Sequence, residues 1–173
     1  MALDFEPPQR QRLNVADFQN ERRHTREDSG IRLDRHGRWW HDGRPIEHPK
    51  IIEAFNRGLT PTDDGKFRLH FGADWCFVEV EDAAYRVLDF AVTADGPWIT
   101  LSDRTGEALD VATLSLDADD VVVCRVKGQR AKARFSREAQ FALGERLTRV
   151  GNQLALQVGS QAIPVPLRPF PER

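Results

Sequence analysis

The strongest chemical feature of the sequence is a run of cations in its later half. The segment RVKGQRAKARFSR holds no carboxylate from Arg125 to Arg137. If residues 119–126 and 130–135 pair as a β-hairpin, alternate side chains face opposite ways and one face collects the cations. These are Arg125, Lys127, Arg130, Lys132 and Arg134. Like charges on one face repel each other unless an anion relieves them, so the pattern predicts an anion-binding face.

A second interpretation of the same hairpin stays open. Asp117, Asp119 and Asp120 lie next to it in the sequence, and they could neutralise a face that is merely solvated. No aromatic residue lies among the five cations, which argues against a sequence-specific reader of single-stranded nucleic acid. The partner that this hairpin favours is a small anionic ligand or an acidic protein.

A carboxylate cluster follows the segment WCFVEV. Glu79 and Glu81 fall on one face of a strand, about 6.5 to 7 Å apart over two strand rises, and Asp82 lies at the turn. Such a pair could hold a divalent ion or share acid–base work. Glu-x-Glu is also common on exposed strands, and Asp82 could instead satisfy turn amides.

Aromatic and imidazole side chains gather in GRWWHDGRPIEHPKIIEAF, residues 37–55. Trp39 and Trp40 face opposite sides of a strand, so one of them either packs under the next helix or offers a stacking platform. His41 and His48 have no further metal ligands at a known spacing, and we expect no metal and no cofactor. A hypothetical ligand groove comprises Trp40, His48, Glu81 and Asp82.

The elements that position these groups begin at Ile31, where apolar and charged residues alternate as in a strand. Asp42-Gly43 is a hairpin signal, because both central residues of the favoured turn need positive φ. His48-Pro49 then opens a helix with proline at its first position, and His48 is expected to cap it. Gly58 is expected to end that helix in the left-handed conformation.

Short strands follow in close order, which is typical of antiparallel meanders. We expect them at residues 66–71, 75–80, 85–92 and 98–102, with a further one within 107–114. The later half repeats the order of hairpin, helix and strands: Ser136 is a good N-cap, and residues 154–158 and 162–167 suggest strands. The proline-rich end suits a sheet edge or a trailing tail.

These patterns predict an α+β fold made of two repeated hairpin–helix–antiparallel-strand units packed together. Residues 1–30 form an arm that is mobile or holds one short helix from Asn14. Residues 31–103 are the first unit, residues 104–168 the second, and residues 169–173 a tail.

Composition limits the class of protein. A chain of 173 residues suits one domain, or two small halves that share a core. Its formal net charge of −2 gives no global argument for nucleic-acid binding. Cys76 and Cys124 each lie in an apolar run and form no metal-ligand spacing, so we expect buried, reduced thiols. Neither a signal peptide nor a membrane-length apolar run is visible, which predicts a cytoplasmic protein without membrane contact.

The motifs also carry a family resemblance. The stretch GRWWHDGRPIEHPKIIEAF, followed by CFVEVEDAAYRVLDF, resembles the bacterial domain-of-unknown-function family 1285, which shows a similar tryptophan strand, turn, helix and Val-Glu-Asp strand end. RAKARFSREAQFAL and GSQAIPVPL resemble its second helix and its closing strand. Where the family tends to show a Thr-Asn loop, this chain has Ser102-Asp103. The resemblance implies an α+β architecture of two repeated units and suggests signal transduction or small-ligand binding.

We therefore expect an uncharacterised cytoplasmic ligand-binding or regulatory module that is not an enzyme. The alternative is a small metal-dependent hydrolase or lyase that uses Glu79, Glu81 and Asp82. A structural role, through self-association around the tryptophans, is a third possibility.

Overall fold

A computed structural model describes residues 24–166 and the backbone of residues 168–169. It is mostly β with helices α1 (Pro49–Gly58) and α2 (Arg137–Gly144), so the α+β prediction is confirmed. The strands are β1 (Ile31–Leu33), β2 (Trp39–His41), β3 (Arg44–Pro45), β4 (Leu59–Pro61), β5 (Phe67–Phe71), β6 (Asp74–Val80), β7 (Tyr85–Thr93), β8 (Gly96–Leu101), β9 (Gly106–Ala108), β10 (Ser115–Leu116), β11 (Val122–Val126), β12 (Ala131–Phe135), β13 (Leu147–Val150), β14 (Gln153–Val158), β15 (Gln161–Pro164) and β16 (Arg168–Pro169).

The strands form three sheets. The first has the order β3-β2-β1-β6-β5-β4, the second β16-β10-β11-β12-β7-β8-β9, and the third β13-β14-β15. Neighbours along the chain pair antiparallel, as the short turns require, but β1 pairs parallel with β6 and β12 pairs parallel with β7. The antiparallel pairing expected between successive strands is confirmed for β5 with β6 and for β7 with β8, while the two parallel pairs were not predicted. The intervening segments, one of which contains α1, are long enough for parallel crossovers.

The hairpin between β2 and β3 turns as its sequence predicts. Asp42 and Gly43 have φ of 47° and 75°, the positive values that this tight turn needs. Its strands place Trp40 opposite Pro45 and His41 opposite Arg44.

Helix α1 begins at Pro49, as predicted, but its ends differ from the expectation. His48 occupies the N-cap position without a side-chain cap hydrogen bond. Gly58 is not among the residues with positive φ, and Leu59 continues as extended chain. A Cβ at Gly58 would run into the backbone carbonyl of His70 on β5. The glycine is therefore required by close packing of helix on strand, not by a left-handed turn.

Helix α2 begins at the predicted cap. The Ser136 hydroxyl accepts a hydrogen bond from the Ala139 N–H at 3.1 Å. The order hairpin, helix and three-stranded meander thus occurs at β1–β6 and again at β11–β15, while the duplication itself stays a prediction. β7 and β8, which the sequence analysis assigned to the first unit, hydrogen bond into the second sheet.

One core joins the sheets. Trp39 packs edge-on against Phe55 at 5.2 Å between ring centroids, and the Tyr85 hydroxyl donates to the Leu59 carbonyl at 2.8 Å. The predicted inner face of the later hairpin is buried, namely Val122, Cys124, Val126, Ala131, Ala133 and Phe135. Burial raises the pKa of the Cys124 thiol to about 12, with smaller contributions from Glu107 and Asp110, so this cysteine is an inert apolar side chain.

The first described residues lie beside β6, an inner strand of the first sheet. The Phe77 N–H donates to the Arg26 carbonyl at 2.7 Å, and the Ser29 hydroxyl donates to the Phe77 carbonyl at 2.6 Å, so residues 24–30 are held against β6. The remainder of the expected arm, including the helix from Asn14, lies outside the described residues. β16 lies at one edge of the second sheet, in agreement with the edge position expected for the proline-rich end.

Candidate functional site

Two arginines on adjacent strands form the floor of the candidate site. Arg86 of β7 and Arg134 of β12 are partners in register across the parallel pair. Side chains at paired positions project from the same face of a sheet, so two guanidinium groups leave the surface side by side. Both line a cleft of about 630 Å³. That volume lies within the range of small-molecule sites in proteins.

The turn between β1 and β2 supplies one wall of the cleft, through Arg35 and His36. Buried Asp34 builds this turn by accepting hydrogen bonds from the N–H groups of His36 and Arg38, at 2.9 and 2.8 Å. The Arg86 side chain connects the floor of the cleft to this turn, because its Nη1 donates a hydrogen bond to the His36 carbonyl at 3.1 Å.

The charge of Asp34 is essential to that turn. Burial alone would raise the pKa of its carboxyl, but hydrogen bonds from the Arg38 backbone, the Trp40 indole and the Arg38 guanidinium lower the pKa to about 2. Asp34 is therefore ionised at neutral pH, and it holds Arg35 and His36 at the cleft.

Helix α2 supplies the opposite wall. Arg137, its first residue, and Gln140 line the cleft, and Phe141 lies at its rim with 69% of its surface exposed. Gln140 accepts from the Val122 N–H through Oε1 at 3.0 Å, which leaves its amide NH₂ as a donor. Val121 and buried Phe135 complete the lining.

The charged residues that line the cleft are all basic. Among the described residues, the lining contains four arginines and one histidine, and no carboxylate, although the whole chain carries a net charge of −2. Within the described residues, neither Arg35, Arg86 nor Arg137 forms an ion pair through its side chain. The cleft is therefore a concentrated positive site on a weakly acidic protein.

Arg134 is the one arginine of the cleft with carboxylate partners. Its guanidinium lies 3.1 Å from Asp117 and 2.9 Å from Asp119, with Asp82 at 3.7 Å. The Arg134 hydrogen bond and charge, followed by the charges of Arg35 and His36, hold the pKa of Asp119 below its usual range. The positive field of the cleft thus reaches this carboxylate at its edge.

The predicted cationic face is largely neutralised within the protein. Lys132 pairs with Asp82, and Arg130 lies 3.2 Å from Asp63. Arg125 shares the outward face with Lys132, its partner in register on β12. The sequence from Arg125 to Arg137 has no carboxylate, but Asp63 and Asp82 reach these cations from distant parts of the chain. Anion binding by the five cations stays a prediction. The neighbouring Asp117 and Asp119 pair with Arg134 and so neutralise part of the face, as the second interpretation of the hairpin predicted.

Lys127 does not share that face at all. Its ammonium lies over the ring of buried Tyr85, 5.1 Å from the centroid, and 2.6 Å from buried Asp103. Lys127 has φ of 55°, so the chain turns away from the strand direction at this residue. Of the five predicted cations, Arg134 alone lines the large cleft.

Trp40, His48, Glu81 and Asp82, which were predicted to line one groove, do not lie together as one group. Arg32 pairs with Glu81 and lies 5.4 Å from the Trp40 ring, so it links these two. Asp82 faces Lys132, and His48 lies exposed at the start of α1. Within residues 24–166, Glu79, Glu81 and Asp82 do not bring ligand atoms together as a metal ion would require.

The tryptophans do not form an open platform at this turn. Trp39 is buried and donates to the Asn56 side chain at 2.8 Å. Trp40 donates to Asp34 at 3.0 Å, and the guanidinium groups of Arg32 and Arg38 lie near its ring at 5.4 Å each. Trp98 is 40% exposed, on β8.

A second cavity of about 440 Å³ has mixed charge. Its lining includes Arg68, His70 and Arg130, but also Asp63 and Asp64. Opposite charges within one lining satisfy each other, so this cavity has no comparable preference for anions. A separate group of side chains, His24, His41 and Asp42, has the spacing of metal ligands.

The comparisons with known proteins agree with this architecture. No family model matches the sequence, and no curated protein matches it either. A DUF1285 family protein from Silicibacter pomeroyi DSS-3 superposes with a TM-score of 0.59 and 19% identity, over 79% of each chain. The chain has the fold of a DUF1285 family protein. The resemblance found in the sequence motifs is thereby confirmed.

A second DUF1285 family protein, from Shewanella baltica OS155, has a TM-score of 0.49 and 21% identity, and the match covers 63% of this chain and 85% of that chain. The superposition on the Silicibacter pomeroyi protein shows the shared fold alone, because an identity of 19% carries no ligand or reaction to this chain. Neither helix in the described ranges has the length and apolar character needed to cross a bilayer.

Sequence reasoning missed most of the cleft. Arg35, His36 and Arg86 lie far from the later hairpin in sequence. The β7–β12 pairing brings Arg86 to Arg134, and the hydrogen bond from Arg86 to the His36 carbonyl adds the turn. One signal was present, since RFSRE places Arg134 and Arg137 on either side of a helix N-cap. A helix N-terminus carries partial positive charge, which adds to that of the two arginines.

Proposed function

We propose that this chain is a non-enzymatic regulatory module of the bacterial cytoplasm that binds a small anionic ligand in the arginine cleft. The observation that carries the proposal is the lining of four arginines and one histidine, with no carboxylate from residues 24–166. The cytoplasmic location is part of the proposal and draws support from two cysteines that are not joined in a disulfide.

The arrangement of the arginines favours an anion with several oxygens. Arg86 lies on the floor beside Arg134, Arg35 on one wall and Arg137 on the other. Arg35, Arg86 and Arg137 have no ion pair within the described residues, whereas Arg134 is already held by Asp117 and Asp119. Guanidinium groups donate two parallel hydrogen bonds to phosphate or carboxylate, and they are less strongly hydrated than an ammonium group. Cations that approach from three sides suit a phosphate group better than a single carboxylate.

The rest of the lining favours a ligand with an apolar or flat part. Phe141 is exposed beside the cations, and Phe135 and Val121 lie beneath. An aromatic ring that stays exposed next to a positive cleft can stack on a ligand ring while the arginines hold the anionic end. We therefore favour a phosphorylated small molecule over an acidic protein segment, since a cleft of about 630 Å³ has the size of small-molecule sites.

The test measures binding of pyrophosphate and of phenyl phosphate by calorimetry. Arg35→Gln and Arg137→Gln each remove a cation that has no ion pair among the described residues, so both variants should fold normally. We expect each to weaken binding of both probes by about tenfold or more, the effect of losing one hydrogen bond to a charged group. Arg149→Gln, on exposed β13 outside the cleft, removes the same charge and should bind as the wild type does.

Phe141→Ala separates the two parts of the proposal. It should weaken phenyl phosphate and leave pyrophosphate unchanged. Equal affinity in the Arg35, Arg137 and Arg149 variants, or no saturable binding of either probe, would overturn the cleft as an anion site. If an acidic peptide bound with the same dependence on Arg35 and Arg137 while both small probes failed, the module would be a protein-binding one instead.

A further inference from the structure

Two histidines and an aspartate meet at one end of the β1–β2 pair, away from the residues that line the arginine cleft. One ligand atom from each of His24, His41 and Asp42 lies within 4.8 Å of the other two. The His24 Nε2 is 2.9 Å from the Asp42 Oδ2, and the His41 Nε2 is 3.7 Å from the same oxygen. The imidazole centroids are 5.0 Å apart and the rings are tilted by 48°.

The backbone holds this cluster in place. His41 ends β2 opposite Ile31, and Asp42 begins the tight turn with its φ of 47°. The Asp42 N–H donates to the Gly30 carbonyl at 3.0 Å. Gly30 has φ of 67°, and a Cβ there would collide with both the Asp42 carboxylate and the His24 ring. The glycine thus leaves the space in which the three side chains approach one another.

The chemistry of the donor set matches a transition metal ion. Imidazole nitrogen and carboxylate oxygen bind Zn²⁺ at about 2.0 to 2.2 Å, which separates the ligand atoms of a tetrahedral site by about 3.3 Å. The observed separations of 2.9 and 3.7 Å lie on either side of that value. The three side chains are 18 to 23% exposed, so they are shielded but open to a small ion.

A hydrogen-bonded His–Asp pair alone does not account for the cluster. Two imidazoles lie against one carboxylate oxygen, which is more than a simple pair needs, whereas an ion uses all three side chains.

We propose that His24, His41 and Asp42 bind a divalent transition metal ion, with Zn²⁺ as the best match. Three protein ligands leave at least one position for water. The site would join residues 24–30 to the end of β2 and so fix this segment against the first sheet. It shares no residue with the arginine cleft, and its failure would leave the proposed function untouched.

The test measures Zn²⁺ binding by calorimetry, and Co²⁺ binding by its visible absorption, on the full chain without an affinity tag. We expect one saturable site, and a rise in melting temperature with Zn²⁺ because an ion that binds only the folded state stabilises it. Asp42→Asn keeps a side chain that tolerates positive φ, and His41→Gln keeps polar bulk. Each should weaken Zn²⁺ by more than about tenfold, since even an outer-shell partner contributes about 10- to 100-fold.

His48→Ala is the matched control. His48 is exposed, makes no side-chain cap hydrogen bond and lies outside the cluster, so its loss should leave Zn²⁺ affinity and the Co²⁺ spectrum unchanged. No saturable Zn²⁺ binding by the wild type would overturn the site. Equal affinity in the wild type, Asp42→Asn and His41→Gln would do the same.

Discussion

The ammonium of Lys127 lies 2.6 Å from the carboxylate of Asp103, whose side chain is only 7% exposed. Burial alone would raise the pKa of Asp103, and hydrogen bonds from Lys127 and Thr105 lower it instead. Lys127 also covers the Tyr85 ring, so one cation joins the β11–β12 turn to the loop after β8. It is part of the core of the second sheet, not of a recognition surface.

Replacing this lysine should therefore reduce stability. Lys127→Ala leaves a buried carboxylate without its cation, and we expect the free energy of unfolding to fall by about 3 kcal/mol at neutral pH. Arg130→Ala, in the same turn, breaks a pair with exposed Asp63 and should cost less than about 1 kcal/mol. Urea denaturation measures both. Similar losses in the two variants would contradict the distinction between core and surface cations.

Asp34 predicts a pH dependence of stability. Its folded-state pKa of about 2 lies below the ordinary value of 3.8, so the charged form stabilises the fold. That contribution, about 2 kcal/mol, is fully present above pH 4 and is lost as the pH falls towards 2. Asp34→Asn should lower the free energy of unfolding by about this amount at pH 7. The stability curves of wild type and variant should converge near pH 2, and curves that stay parallel would rule out this role.

The paired arginines of the cleft should respond differently to substitution. Arg86→Met removes one hydrogen bond to the His36 carbonyl and one like charge beside Arg134, so these effects offset and stability should change by less than about 1 kcal/mol. Arg134→Met leaves Asp117, which is 8% exposed, without this cation. We expect the free energy of unfolding to fall by about 3 kcal/mol. Chemical denaturation distinguishes them, and equal losses would show that Arg86 is as structural as Arg134.

Local patterns predicted the local structure well. The Asp42-Gly43 turn, the start of α1 at Pro49, the Ser136 cap and the inner face of the β11–β12 hairpin all follow from neighbouring residues. Each depends on backbone conformation or side-chain alternation within a few positions, which a single sequence displays directly.

Contacts between distant segments were not predictable in the same way. The cations of the later hairpin have no acidic neighbour from Arg125 to Arg137, yet Asp63, Asp82 and Asp103 reach them through the tertiary fold. The parallel pairing of β7 with β12 likewise decides which arginines lie side by side. The residues of either strand do not identify the strand with which it pairs. The cleft is a product of that pairing.

Gly58 offers a direct test of how α1 packs. A Cβ at this position would collide with the His70 carbonyl, an atom of a strand backbone that cannot move aside like a flexible side chain. Gly58→Ala should therefore lower the free energy of unfolding by about 2 kcal/mol or more, despite the better helix propensity of alanine. Gly144→Ala is the matched control at the end of α2, where a Cβ meets nothing within 4 Å and φ is not positive. There the same substitution should be neutral or stabilise by up to about 1 kcal/mol. Thermal and urea denaturation of both variants measure the difference, and a stabilised Gly58→Ala protein would mean that α1 does not approach β5 this closely.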